Sequence, residues 1–366
     1  FGDLARRAAL AMQLWLAFFS DLCLIKQRFG GGRPSGRDGG SGLAAHGLGS
    51  RMERTRRREL DGLRGVAALI VLVAHVSNSV KLWDGFLGYG TGKVGVMIFF
   101  CLSGYLMGAL YLNRKPNSAE VLRYGLHRLS RIAPLYLALV FVSLLCGALF
   151  ANSIFYNVNS GNLLQHLTFQ RGTGVMWTIP VEVQFYACFI ALWFVHAWAR
   201  WAFLVLCAAS MPLLWDAAGE AHRIGSTLLA WAPYFLVGLL VSRLPENPAP
   251  SRVSNVAWSV VFIGAAASCL VLFPQIALEI GGPDLREDVH MDPWHNPWSY
   301  LVFRLLLAET ERSSLAKKLL GNTPMIYAGA ISYSVYLLHM PVIIALKRAT
   351  PLAQHPELFL VAATVL

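Results

Sequence analysis

The sequence predicts an all-α integral membrane protein, a bundle of about ten transmembrane helices, on three observations. Its 366 residues are 56% hydrophobic and only 14% charged, whereas soluble proteins carry about 25% charged residues. Apolar runs of membrane-spanning length recur along the chain, and lipid is the environment that can bury them. Basic residues cluster at the ends of these runs, which is typical of membrane proteins with positive cytoplasmic loops.

The formal net charge of +11 is the one feature that favours nucleic acid as a partner. Because the basic residues flank apolar runs, we interpret them as topology signals and expect no nucleic-acid partner. The six cysteines form no CxxC motif, and no His/Cys set has the spacing of zinc ligands. The sequence therefore predicts no metal site.

Residues 1–51 differ in composition from the rest of the chain. The stretch 29–42 is rich in glycine, serine and arginine, a flexible composition that cannot form a core. We expect residues 1–51 to be a disordered or mis-assigned N-terminal extension, with Met52 as the true start. The transmembrane domain is then expected over 52–366, with its last helix truncated by the chain end.

The hydropathy pattern predicts ten spans, and the charge of the loops between them orients the chain. The basic leader and the basic loops predict a cytoplasmic N-terminus. The pattern contains no visible internal repeat, a feature of many transporters. The predicted spans are 62–82, 94–113, 132–150, 178–198, 201–216, 226–243, 255–273, 298–309, 324–346 and one that begins near 357.

His75 lies inside the first apolar span, where lipid penalises polar side chains. An ionisable group in such a position usually faces a cavity or a partner, and marks a functional hypothesis. Arg64 lies eleven residues earlier, about 16 Å away along a helix. From the residues alone, a catalytic role for His75 and a hydrogen bond inside the bundle are equally good interpretations.

Arg128 and Arg131 share one helix face at the start of the third span, because they are three residues apart. Guanidinium groups bind phosphates through paired hydrogen bonds, so these arginines are candidate phosphate ligands. The alternative is ordinary positive charge on a cytoplasmic loop.

Further polar residues interrupt later spans. Glu182 enters the fourth span and needs a polar partner there, and Arg304 interrupts the eighth. Arg304 either faces the bundle or extends to the membrane surface. Tyr333, Tyr336 and His339 lie close to one face of the ninth span, where plain helix packing is the favoured interpretation.

Five stretches of the chain resemble the acyltransferase 3 family of multi-pass membrane acyltransferases. Their order and separation are similar to those of the family, over the chain from about residue 59 to its end. One departure is Val183, where the family commonly has a second acidic residue. The stretches are 59–65 followed by His75 (arginine, ten residues, histidine), 94–106, 128–136 (Arg-x-x-Arg), 176–186 and 331–341.

The resemblance implies acyl transfer from cytoplasmic acyl-CoA, often acetyl-CoA, to a hydroxyl or amine of a glycan or small molecule, with His75 as the catalytic residue. A neutral imidazole suits the removal of a hydroxyl proton, so we expect His75 to act as general base. The other assigned roles are charge support at the active site by Glu182, acyl-CoA binding by Arg64, Arg128, Arg131 and Arg304, and acceptor binding by Asp61, Gln184, Tyr333 and Tyr336.

We therefore expect an acyltransferase in the lipid bilayer of the bacterial inner (plasma) membrane. Its acceptor would be a glycan, such as a surface polysaccharide or a lipid-linked sugar. Two other hypotheses are a multi-pass transporter or exporter of a glycan or lipid without acyl transfer, and a non-catalytic sensor of acyl-CoA or sterol. The five family-like stretches disfavour the transporter, and intact His75 and Glu182 disfavour the sensor.

Overall fold

The computed structural model describes residues 57–150, 155–223, 227–245, 251–281 and 297–365. The regular structure in these ranges is helical, without strands. The all-α class predicted from the sequence is therefore confirmed for this part of the chain. The expectation for residues 1–51, and for a start at Met52, lies outside the described residues.

Thirteen α-helices are present in the described ranges, together with three short 3₁₀ turns at Leu82–Gly85, Gly174–Trp177 and Pro351–Gln354. The helices are α1 Arg58–Val80, α2 Gly92–Tyr111, α3 Ser118–Leu149, α4 Leu163–Leu167, α5 Thr178–Trp198, α6 Arg200–Arg223, α7 Thr227–Val241, α8 Arg252–Val271, α9 Pro274–Glu279, α10 Pro297–Arg312, α11 Ser314–Leu320, α12 Thr323–Ala349 and α13 Pro356–Val365.

Six of the described helices are long and apolar enough to cross a membrane. They are α1, α2, α3, α5 with its preceding turn, α8 and α12. Each predicted span coincides with a helix, but α6, α7 and α13 have shorter apolar stretches and α10 has only 16 residues. The membrane bundle is thus confirmed, and the count of about ten spans is not.

Two helices that carry candidate site residues begin at asparagine caps. The side chain of Asn117 accepts the backbone N–H of Glu120 at 3.0 Å at the start of α3. Asn322 does the same for the N–H of Met325, also at 3.0 Å, at the start of α12. Each cap satisfies a backbone donor that has no partner within its helix, which fixes where the helix begins.

Helix α1 packs closely against α12 although about 260 residues separate them in sequence. Close approach depends on glycine: a Cβ on Gly329 would overlap the carbonyl oxygen of Asp61, and one on Gly65 would crowd the backbone of α12. Asp61 thus lies beside Gly329, and further along both helices His75 lies beside His339. The two helices therefore run in parallel, which aligns their polar residues.

The described part of the α3–α5 connection, residues 155–177, folds against the middle of α12. The hydroxyl of Tyr156 donates to the carbonyl of Leu337 at 2.7 Å, and the hydroxyl of Tyr336 donates to the carbonyl of Val175 at 2.9 Å. Helix α5 therefore begins beside the middle of α12, which places Glu182 within the bundle.

Candidate functional site

A cavity of about 60 Å³ lies where α1, α2, α3, α5 and α12 meet. Ser103, Thr178, Ser332 and two tyrosines of α12 contribute hydroxyl groups to its wall, and the remaining wall is apolar. The cavity thus gathers charge from three helices inside an apolar bundle. Its charged side chains are Arg64, Arg128, Arg131 and Glu182.

The three arginines differ in how far they are buried. Arg131 is exposed, Arg64 is half-buried, and Arg128 is only 6% exposed. Arg64 also approaches Asp61, with 3.8 Å between Nη1 and Oδ1. Asp61 is not among the residues that line the cavity, so it adjoins the site through this ionic contact with Arg64. Positive charge therefore extends from the surface to the buried end of the cavity.

Arg128 is enclosed by aromatic rings. Its guanidinium carbon lies 5.7, 6.0 and 5.6 Å from the ring centroids of Tyr111, Tyr124 and Tyr186, respectively. Rings at this distance stabilise a cation. The hydroxyl of Tyr124 donates to the carbonyl of Tyr186 at 3.1 Å, which braces two of the rings.

The guanidinium of Arg128 also retains unused hydrogen-bond donors. Its Nε and Nη2 atoms are buried and have no hydrogen-bond partner among the described residues. An unpaired buried donor costs about 1–3 kcal/mol, and more when it is charged. A ligand anion that accepted these two N–H groups would remove that cost, so the arrangement is suited to bind an anionic group.

Glu182 is held by two hydroxyl groups. Its Oε1 atom accepts a hydrogen bond from Ser103 of α2 at 2.9 Å and from Tyr186 at 2.6 Å. Sequence reasoning assigned a role to neither Ser103 nor Tyr186. The i, i+4 spacing of Glu182 and Tyr186 could have revealed the second contact, whereas the first depends on how α2 and α5 pack.

His75 does not line the cavity. Its ring packs against that of His339 on α12, with 4.9 Å between centroids and 45° between planes. The ring of His339 lies 5.9 Å from that of Tyr336, which does belong to the wall. Tyr336 therefore connects the cavity to the histidine pair.

Tyr333 and Tyr336 both line the cavity while their hydroxyl groups donate to backbone carbonyls. Tyr333 donates to Ile132 at 2.6 Å and Tyr336 to Val175 at 2.9 Å. These bonds match the packing interpretation. Each phenol oxygen keeps a lone pair, so acceptor binding is compatible with the same geometry.

Besides Asp61 and His75, two further predicted site residues do not line the cavity. Gln184 donates through Nε2 to the carbonyls of Phe169 and Gln170 at 2.9 and 3.3 Å. Arg304 is exposed on α10. In the described ranges, no group of three His, Cys, Asp or Glu residues could hold a metal ion.

Comparison with known proteins identifies the chain's family. The family model described as an acyltransferase domain matches residues 57–366. The chain belongs to the acyltransferase 3 family. The chain is 24% identical over 330 residues to a candidate peptidoglycan O-acetyltransferase, YrhL of Bacillus subtilis, a match that covers 78% of this chain and 48% of YrhL.

Two further relatives carry related names. The chain is 26% identical over 320 residues to BcsY of Komagataeibacter xylinus, a candidate membrane-bound transacylase, with 80% of this chain and 74% of BcsY covered. It is 24% identical over 322 residues to the O-acetyltransferase OatA of Staphylococcus aureus, a match that covers 78% of this chain and 50% of OatA. The chain therefore spans about half the length of YrhL and OatA. No solved structure matches it significantly.

Proposed function

We propose that this acyltransferase transfers an acyl group, acetyl in the simplest case, from acyl-CoA to a hydroxyl of a glycan or lipid-linked sugar. The observation that carries the proposal is the cavity that joins three arginines and Glu182 and adjoins His75 through Tyr336. The name of YrhL supports peptidoglycan, a glycan, as the acceptor, and the name of OatA supports transfer of an acetyl group to an oxygen atom.

The arginines support acyl-CoA as the donor. Coenzyme A carries several phosphates, and guanidinium groups bind phosphate with paired hydrogen bonds. Arg131 is exposed whereas Arg128 is only 6% exposed, so the nucleotide binds at Arg131 and the narrow pantetheine arm enters the cavity. Buried Arg128, with two unused donors, receives an anionic or carbonyl oxygen of the donor.

His75 acts as general base in the transfer. The acceptor oxygen attacks the thioester carbonyl carbon while the hydroxyl proton passes to a ring nitrogen of His75. The carbon–sulfur bond then breaks, and the CoA thiolate leaves and takes the proton back from His75. Such proton transfer is typically worth 10²–10⁴ in rate. For the thioester to reach His75 from the cavity, the ring of Tyr336 must move aside.

Glu182 supports acceptor binding. One carboxylate oxygen is engaged by Ser103 and Tyr186, whereas Oε2 makes no hydrogen bond with another described residue. That oxygen is available to a sugar hydroxyl. We also propose that the N-terminus is cytoplasmic and the protein resides in the bacterial inner membrane, so that acyl-CoA enters from the side where it is made.

The purified protein in lipid nanodiscs tests the proposal, with isotope-labelled acetyl-CoA and muropeptide or polysaccharide acceptors. We expect wild type to form acetylated product and His75→Ala to lose at least about 100-fold in turnover while it still binds acetyl-CoA. The control is His355→Ala, at an exposed position distant in sequence from the cavity residues, which should keep wild-type turnover. Full turnover in His75→Ala would reject the role of His75 as general base. Movement of the acceptor across the membrane without acetylation would support the alternative of a transporter.

A further inference from the structure

The hydrogen bonds of His339 fix its tautomer. Its Nδ1 atom lies 2.7 Å from the carbonyl oxygen of Tyr336 and 3.2 Å from that of Val335. A carbonyl oxygen can only accept, so Nδ1 must carry the hydrogen. In the neutral ring, Nε2 then has a free lone pair and acts as an acceptor.

This Nε2 acceptor of His339 is buried, and no hydrogen-bond donor reaches it from the described residues. His339 is 3% exposed, and its Nε2 atom has no hydrogen-bond partner among the described residues. Burial of an unsatisfied polar atom is unfavourable, so each such atom in a native structure needs an explanation, and a catalytic role is one of the recognised explanations.

The neighbouring ring of His75 can supply the missing donor. The two ring centroids lie 4.9 Å apart at a tilt of 45°, so a modest rotation of either ring brings a nitrogen of one to the edge of the other. His75 makes no hydrogen bond with another described residue, so nothing else there selects its tautomer. In a histidine, the bond made by one ring nitrogen decides which nitrogen is protonated.

We propose that His339 is the positioning residue of His75. Its Nε2 atom accepts the N–H of His75, which leaves the other nitrogen of His75 unprotonated and directed at the acceptor hydroxyl. When that nitrogen takes the hydroxyl proton, the bond to Nε2 stabilises the resulting imidazolium until the CoA thiolate removes the proton. This inference rests on the proposed role of His75 as general base.

A neutral histidine therefore does the orienting that a carboxylate does in many catalytic pairs. Glu182, the sequence's candidate for supporting His75, is engaged instead by Ser103 and Tyr186 on the cavity wall. The orienting bond comes from α12, whose parallel contact with α1 aligns the two histidines.

Two substitutions test the roles of the two ring nitrogens of His339 separately. In His339→Asn the amide occupies the position of Nδ1 and can still donate to Tyr336, but the acceptor at Nε2 is lost. In His339→Gln the amide oxygen reaches the position of Nε2 and can still accept from His75. We expect His339→Asn to lower kcat by about 10- to 100-fold, part of the 10²–10⁴ expected from loss of the base.

The acetyl-CoA KM should stay unchanged in His339→Asn, and His339→Gln should recover most of kcat. Equal kcat values in the two variants would assign His339 to packing alone. Wild-type kcat in His339→Asn, together with an inactive His75→Ala, would reject the positioning role of His339 but leave His75 as the general base. An active His75→Ala would reject both the positioning role and the general-base role.

Nitrogen-15 NMR of the histidine rings in the wild-type protein tests the same inference without substitution. We expect His339 as the Nδ1–H tautomer, with its Nε2 shifted by an accepted hydrogen bond, and His75 as a single tautomer. An Nε2–H tautomer for His339, or two exchanging tautomers for His75, would overturn the proposal.

Discussion

Ser103 on α2 donates a 2.9 Å hydrogen bond to the carboxylate of Glu182 on α5, which joins two walls of the cavity. Tyr186 donates to the same oxygen at 2.6 Å. A carboxylate inside an apolar bundle is stable only when it is paired or hydrogen-bonded. These two donors therefore hold the Glu182 side chain in one orientation before any substrate arrives.

The first prediction concerns this carboxylate. We expect Glu182→Ala to raise the KM for the acceptor by about tenfold or more, since hydrogen bonds to charged groups are worth about 1.5–3 kcal/mol. The KM for acetyl-CoA should change little. The control is Glu120→Ala, because Glu120 pairs with Arg114 and Arg123 at the surface. Steady-state kinetics with the acceptor varied measures the effect, and an unchanged acceptor KM would contradict it.

The second prediction concerns the buried arginine. We expect Arg128→Ala to weaken acetyl-CoA binding by about tenfold or more, because two buried charged donors are lost. Arg128→Lys should restore little, since an ammonium lacks the planar, paired donors of a guanidinium. Equilibrium binding of labelled acetyl-CoA measures both. Arg123→Ala, on the same helix and at the surface, is the matched control, and equal losses in Arg123→Ala and Arg128→Ala would indicate a general charge effect.

The third prediction concerns helix contacts. A Cβ on Gly238 of α7 would overlap the carbonyl oxygen of Cys101 on α2, and neither backbone can move aside easily. We expect Gly238→Ala to destabilise the protein by about 1–3 kcal/mol or more. Gly264→Ala is the control, because nothing lies within 4 Å of that position on α8, and alanine favours a helix by up to about 1 kcal/mol. Thermal unfolding in detergent should separate the two variants, and similar Tm values would refute the close contact.

The fourth prediction concerns pH and His166 on the short helix α4. Its ring is 1% exposed, and Nδ1 lies 3.1 Å from the hydroxyl of Tyr136. Burial lowers the pKa of His166 below its ordinary value of 6.5. The unfolded chain then binds the proton more readily than the folded protein, so stability falls as pH drops below 6.5.

His166→Gln removes this proton linkage. We expect the Tm of wild type to decrease more steeply than that of His166→Gln between pH 7 and pH 5. Differential scanning of both proteins across this range measures the difference. Parallel pH curves would show that His166 does not contribute.

The sequence predicted those site residues whose type or spacing stands out in their own stretch of the chain. Arg64 and Glu182 are conspicuous in apolar runs, Arg128 belongs to an Arg-x-x-Arg pair just before such a run, and the cavity does join all three. It did not predict the bond from Ser103 to Glu182, or that His339 would lie against His75. Those contacts depend on which helices are neighbours and on their relative height, and chain order determines neither.

The number of predicted spans shows the same limit: the sequence does not reveal how helices pack against one another. Length and apolarity identify α1, α2 and α12 clearly, but α10 carries charged residues and α13 is short. Burial by neighbouring helices can compensate for a short apolar stretch, and such burial is a property of packing that hydropathy does not contain. The catalytic and binding roles assigned to the site residues stay predictions until the variants above are measured.

Tyr336 belongs to two structures at once. Its ring forms part of the cavity wall beside the histidine pair, and its hydroxyl ties the α3–α5 connection to the middle of α12. Any displacement of the ring that opens a path to His75 also breaks the bond to Val175. In the proposed reaction, entry of the acyl-CoA thioester toward His75 would therefore remove one of the hydrogen bonds that hold the α3–α5 connection against α12.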